Sequence, residues 1–183
     1  MQRSHSKRQR FSIIVRSPNE TGHRRSVNSL WVEPLSLGES FLFTGSGDRL
    51  IKLWHVNYNT QKTSLCADLD SHTDWVNQVI LVPEARNTLI SCSSDTTIKL
   101  WRLDELRRAK ERKRILPVST LSDHEDSVRF IDYSRQLGRL FSAADDGSIL
   151  MWDLNCEKLL QKYEIMERDN THYLDQLTAP LEL

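Results

Sequence analysis

His72, Ser91 and Asp95 are the components of a nucleophilic triad: a hydroxyl to attack, an imidazole to take its proton and a carboxylate to hold the imidazole. The same types recur as His23, Thr44 and Asp48, and again as His124, Ser142 and Asp146. Such a set would serve acyl transfer. An active site, however, is needed once, and these sets come three times at constant spacing: each hydroxyl stands four residues before its acid. No GxSxG turn or other oxyanion-hole signature accompanies any of the hydroxyls. A tryptophan also completes every set, Trp54, Trp101 and Trp152, six residues after the acid. The hydrolase reading is therefore disfavoured, and no catalytic residue is assigned.

A structural role accounts for all four residue types. An indole N–H on one strand can donate to a hydroxyl on its neighbour, the hydroxyl to an imidazole in the preceding loop, and the imidazole to a carboxylate in a turn. Each bond contributes about 1 kcal/mol net, but removing one member strands buried partners at roughly 1 to 3 kcal/mol. Connected networks of this kind specify one register.

The elements that must position these groups follow from the spacing. Each histidine lies 28 to 31 residues ahead of its tryptophan and four before a valine (Val27, Val76, Val128), so the pattern repeats with a period near 50. In the central copy, Trp75–Val82, Leu89–Ser93, Thr96–Trp101 and Ile115–Leu121 read as four short strands, with Pro83, Asn87 and Ser94-Asp95 in the gaps. Pro117 has no N–H for a ladder and fits an outer edge strand. In the first copy the strands fall near Val27–Val32, Phe41–Gly45, Leu50–His55 and Lys62–Ala67. Four strands joined by tight turns make one antiparallel sheet of the propeller-blade kind.

These residues resemble the WD-repeat propellers. The signature histidine occurs as Gly22-His23, Ser71-His72 and Asp123-His124, and the closing dipeptide as Trp54-His55, Trp101-Arg102 and Trp152-Asp153. Only the first histidine keeps the family's glycine, and only the last tryptophan keeps its aspartate. Within the family, HTDWVNQV and LISCSSDTTIKLW, preceded by SVNSLWVEP and LFTGSGDRLIKLW, are similar to the first blades of the WD-repeat proteins that bind and activate ubiquitin-specific proteases. The resemblance covers residues 11–154 and is strongest from His72 to Trp101. It implies an all-β, partial propeller of about three blades (11–70, 71–122, 123–164), with a ring not closed by this chain. It further implies a non-catalytic scaffold in protein deubiquitination, with a ubiquitin-specific protease as partner. The alternative is a WD-repeat scaffold subunit of another assembly, such as RNA processing or ubiquitin ligation.

Propellers close with about four to eight blades. Three copies imply a fragment or truncated product, or missing blades supplied by the full-length protein or another chain. In the resembled family the leading strand pairs into the last blade, so Phe11–Arg16 is expected as half of a clasp. Met1–Arg10 has almost no apolar content and is expected to be a disordered basic tail. Residues 165–183 form an irregular tail, with Tyr173–Leu177 compatible with one short helix.

The formal net charge of zero gives no global argument for nucleic acid or anionic membrane. The ends differ: residues 1–25 hold seven Arg or Lys against one Glu, and residues 153–183 hold seven acids against three bases. Such ends are usually solvated. Cys66, Cys92 and Cys156 show no metal-ligand spacing, so neither metal nor cofactor is expected, and they read as reduced thiols of a cytoplasmic or nuclear protein. No apolar run approaches the ~20 residues of a membrane span, and no signal peptide is evident.

Two features stand outside the repeat as candidate partner contacts. Residues 104–114, DELRRAKERKR, form a basic insertion carrying Arg107, Arg108, Lys110, Arg112, Lys113 and Arg114. It would meet phosphate or an acidic partner, or simply be solvated. Trp75 stands where the other copies have Ser26 and Ser127, and would either anchor a partner or pack on the neighbouring blade.

Overall fold

The computed structural model describes residues 22–85, 87–102 and 113–165. The expected tail Met1–Arg10, clasp strand Phe11–Arg16 and helix Tyr173–Leu177 lie outside these residues, as do Arg107, Arg108, Lys110 and Arg112.

Every regular element among the described residues is a strand. The first sheet contains β1 (Val27–Ser36), β2 (Glu39–Ser46), β3 (Leu50–Asn57) and β4 (Lys62–Asp70), paired antiparallel in chain order. These strands extend beyond the alternating apolar runs because paired polar residues continue the ladder at their ends, as in Glu39↔Asn57 and Lys52↔Asp68. The second sheet orders β5 (Val76–Val82), β6 (Thr88–Ser93), β7 (Ile98–Arg102) and β9 (Ser119–Leu121). The third contains β10 (Val128–Ser134), β11 (Arg139–Ala144), β12 (Ser148–Asp153) and β13 (Lys158–Glu164). The architecture is all-β, three blades of a partial propeller.

One expectation is corrected. The run Ile115–Leu121 is not a single outer strand. It breaks at Leu116-Pro117, because proline has no N–H to give a ladder. Pairing resumes where the Val118 amide donates to the Leu100 carbonyl at 2.8 Å. Upstream of the break, β8 (Lys113–Ile115) leaves the second sheet altogether and pairs parallel with β4 of the first, in the register Ala67↔Lys113, Asp68↔Arg114, Leu69↔Ile115. Lys113 and Arg114, expected in the basic loop, thus stand in a strand on the rim of blade 1. Smaller shifts occur at Trp75 and Thr96, which lie just outside β5 and β7 in the flanking turns.

The sheets stack face to face in chain order. One face of the central sheet, with Leu89, Trp101, Val79 and Leu81, packs on Phe43, Ile51 and Leu53 of blade 1. Its other face, with Ile90, Cys92, Ile98 and Leu100, packs on Leu140, Leu150 and Trp152 of blade 3. Strand β6 is accordingly buried at every position, which a simple half-buried strand is not.

The innermost strands carry a second device. Each has a register shift at the same place, Val27/Ser29, Val76/Gln78 and Val128/Phe130. A bulge takes backbone groups out of the ladder, and here the preceding blade claims them. Asn28 Nδ2 donates to the Val76 carbonyl at 3.0 Å, and the Val79 amide donates to Ser29 Oγ at 3.1 Å. One blade on, Asn77 Nδ2 donates to the Val128 carbonyl at 2.8 Å, and the Ile131 amide donates to Gln78 Oε1 at 2.8 Å. Blade 3 has Arg129 and Phe130 in those columns, with Phe130 largely exposed.

The first joint leaves no room at Gly45, where a Cβ would come within 2.8 Å of Val76 Cγ1. Gly45→Ala should therefore force the two sheets apart and lower stability by about 1 to 3 kcal/mol. Urea unfolding measures this, and an unchanged midpoint would show that the joint is looser than described.

Candidate functional site

Each blade builds the same polar assembly from four elements. The histidine sits in the loop before the first strand, the hydroxyl on the second strand, the acid in the turn that follows, and the tryptophan on the third strand. In blade 2, Trp101 Nε1 donates to Ser91 Oγ at 3.0 Å, Ser91 Oγ lies 2.8 Å from His72 Nε2, and His72 Nδ1 lies 2.8 Å from Asp95 Oδ2. The corresponding distances are 2.9, 2.8 and 2.9 Å for Trp54, Thr44, His23 and Asp48. For Trp152, Ser142, His124 and Asp146 they are 2.8, 2.8 and 2.9 Å. All twelve residues of the three sets are brought together, set by set.

The electrostatics give the blade 2 relay a direction. Burial pushes the Asp95 carboxyl up, but bonds from His72, Thr97 Oγ1 and the Thr73 amide outweigh it and hold the group well below the usual carboxylate range. Burial lowers the His72 imidazole, against the opposing pull of Asp95. A neutral imidazole beside an ionised carboxylate must donate from Nδ1 to Asp95 and accept at Nε2 from the Ser91 hydroxyl. Asp48 and Asp146 are lowered as well, against burial, by the amide of the residue after their histidine and by their bonds to the histidine; Ser148 adds a further bond to Asp146.

The acids do more than hold imidazoles. Asp95 accepts from the Thr73 amide at 2.9 Å and the Thr97 amide at 3.0 Å, which straps the loop before the first strand to the turn after the second. Thr97 Oγ1 and Ser148 Oγ add bonds of 2.6 and 2.7 Å to Asp95 and Asp146. These two hydroxyls were missed by the sequence reading. Their signal was a hydroxyl two residues after the acid, and Leu50 breaks that column in blade 1.

As chemistry, the relay has the proton order of a triad and the wrong accessibility. Ser91 is completely buried, and its oxygen already accepts the Trp101 N–H. His72 reaches the wall of a groove, but Ser91 does not. Among the described residues no three His, Cys, Asp or Glu side chains are grouped to hold a metal. Cys92 is buried, and burial pushes its thiol up to about 12, which removes the thiolate a nucleophile requires.

Trp75 stands apart from the relays. Its amide bonds Asp74 Oδ1 at 2.7 Å and its carbonyl accepts from the Ser94 amide at 2.9 Å, so the backbone is pinned. The indole lies beside Gly47 of blade 1, where a Cβ would stand 3.7 Å from Trp75 Cδ2, yet 46% of the residue remains exposed. It thus packs on the neighbouring blade and also presents a free surface. That surface faces a groove of about 890 Å³ between the loops of blades 1 and 2, lined also by Arg24, Arg25, Arg49, Asp70 and Asp74.

Removing the Asp95 carboxylate should release both straps and leave a buried imidazole donor unpaired. Asp95→Ala is expected to cost about 1 to 3 kcal/mol in urea unfolding, and an unchanged midpoint would contradict the bracing role. The pH dependence has a definite sign. Unfolded His72 takes up a proton below about 6.5 while the folded imidazole resists it, so stability should begin to fall there. The depressed carboxylates add a second fall below about 3.9, since their contribution is complete above that value and fades through their lower folded values. Asp95→Asn should flatten the acid limb in a series of unfolding curves across pH.

Comparison with known proteins is consistent with this geometry. A crystal structure of the WD40 beta propeller domain of Doa1 superposes with a TM-score of 0.57 at 27% sequence identity, covering 80% of this chain and 42% of that one. The chain thus spans less than half the length of that protein. The family model for the WD domain, G-beta repeat, matches residues 16–55, 63–102 and 116–153. The second and third matches begin in β4 and just before β9, so these two repeats each supply the outer strand of the preceding sheet. With matches over most of its length, the chain belongs to the WD40, G-beta repeat family.

Proposed function

We propose that this chain is a non-catalytic scaffold that displays its inter-blade loops to a protein partner, and that the partner is a ubiquitin-specific protease held in its active conformer. The observation that carries the scaffold reading is the saturation of the relays. Every imidazole, hydroxyl and acid of the three relays is bonded within its own blade, while Arg24, Arg25, Arg49 and Trp75, which take no part in them, line a loop groove. The protease is supported by likeness of the HTDWVNQV and LISCSSDTTIKLW segments to the activating WD-repeat proteins. Activation of this kind requires tighter binding to the active conformer than to the inactive one. The proposal places the chain in the cytoplasm or nucleus, where Cys66, Cys92 and Cys156 stay reduced.

The test is binding of the chain to a ubiquitin-specific protease catalytic domain, with hydrolysis of a fluorogenic ubiquitin substrate as readout. Complex formation with increased turnover is expected. Charge reversal at Arg107, Arg108, Lys110, Arg112, Lys113 and Arg114 should leave both unchanged; a loss would move the contact to the basic insertion. Absence of any complex would sink the protease assignment, and esterase or peptidase turnover by the chain itself, abolished by Ser91→Ala in a folded protein, would sink the scaffold.

A further inference from the structure

Of the two residues after each relay histidine, the first gives its backbone amide to the relay acid and neither gives a side chain to the relay, so the fold leaves their side chains free to vary. They read Arg24-Arg25 in blade 1, Thr73-Asp74 in blade 2 and Glu125-Asp126 in blade 3. The residue after each relay acid is similarly free, and reads Arg49, Thr96 and Gly147. All three have positive φ, at 74°, 68° and 76°. Glycine takes this conformation without penalty, and a side chain with a Cβ does not. Blades 1 and 2 therefore both keep a side chain under strain at a turn position where blade 3 uses glycine, and in blade 1 that side chain is a cation.

Arg24, Arg25 and Arg49 line one groove, at the mouth of the joint between blades 1 and 2. None of their guanidinium groups has an ion-pair or hydrogen-bond partner among the described residues. Other cations of the chain do: Lys52 pairs with Asp68, Arg129 with Asp145 and Arg139 with Asp153. The acids in the groove wall are themselves engaged. Asp48 holds His23 and two backbone amides, Asp70 is partnered, and Asp74 accepts from the Trp75 amide. Trp75 lines the same groove, with its backbone pinned and the residue half exposed. Unpaired guanidinium groups are forks for carboxylates, and a pinned, half-exposed tryptophan is an anchor for an apolar side chain.

We propose that this groove docks an acidic peptide segment of a protein partner, with its carboxylates on Arg24, Arg25 and Arg49 and one apolar side chain on Trp75. The inference rests on the scaffold reading and specifies the chemistry of what the scaffold holds. A nucleic acid fits the groove less well. Its bases find a single aromatic plane, Asp70 and Asp74 interrupt the cationic track, and the chain has no net positive charge.

Fluorescence anisotropy with the full chain and a labelled Glu-rich peptide carrying one central leucine tests this. Saturable binding that weakens with salt is expected, together with its loss for the same peptide with Gln in place of Glu. Arg24→Ala combined with Arg25→Ala, and Trp75→Ala alone, should each weaken binding about tenfold, the scale of one charge-assisted bond or one anchor contact. Arg49→Gly is the deciding variant. It should weaken binding about tenfold while the thermal midpoint stays level or rises, because glycine relieves the turn; a merely structural role for the arginine would lower the midpoint and leave the affinity unchanged. Equal affinity for the Glu and Gln peptides, unchanged affinity in Arg49→Gly, tighter binding of a single-stranded oligonucleotide, or no binding would each overturn the proposal. Protease capture by groove variants that hold no acidic peptide would remove this inference and leave the scaffold reading intact. Peptide binding without protease capture would leave the groove and remove the protease.

Discussion

A buried imidazole that must stay neutral, accept one hydrogen bond and donate another leaves its loop very few arrangements. His72 meets that demand with Ser91 on one side and Asp95 on the other. The consequences spread outward. Because Asp95 also accepts amides from Thr73 and Thr97, fixing the ring fixes the loop into the first strand and the turn into the third. Because Ser91 accepts from Trp101, it fixes the lateral position of the third strand on the second. Few strand registers keep all of these partners at once, and the cost of leaving any of them bare in the interior excludes the others.

The joints between sheets rely on a different principle. Apolar faces such as Leu89 and Trp101 against Phe43 and Leu53 are large and non-directional, and would tolerate sliding. Direction comes from the bulges of the inner strands, which hand one carbonyl and one amide of each sheet to the polar side chains of the sheet before it. The stagger between the repeat and the sheet adds covalent continuity to the same joint, since the second and third repeats each begin on their predecessor's rim. Rigid spacing of adjacent loops is the result, and a groove between two such loops keeps its shape without a ligand.

The relays were legible in the sequence because their members sit at constant spacing and recur three times. The strand order within each sheet was legible for the same reason. The inter-sheet bonds were not: Asn28-Ser29 and Asn77-Gln78 agree in two copies, but Arg129-Phe130 breaks the column, and nothing local reveals that a bulge has freed a carbonyl for them. The destination of β8 was illegible too. Pro117 announces an interruption, yet a three-residue strand carries no mark of which sheet it will join. Trp75 could be narrowed to two roles and no further, since exposure depends on Gly47 of another blade. The strain at Arg49 is a property of φ, and an arginine after an aspartate looks ordinary in sequence.

The parallel pairing of β8 with β4 has a consequence for the order in which the molecule matures. As the polypeptide leaves the ribosome, β1 to β4 can assemble early, but their outer border stays open until Ile115 has been synthesised and returned to lie beside Leu69. By then β5 to β7 have also emerged. The rim of blade 1 is thus completed by a segment that follows β7 of blade 2, and the molecule departs from the independent stacking of ordinary repeats.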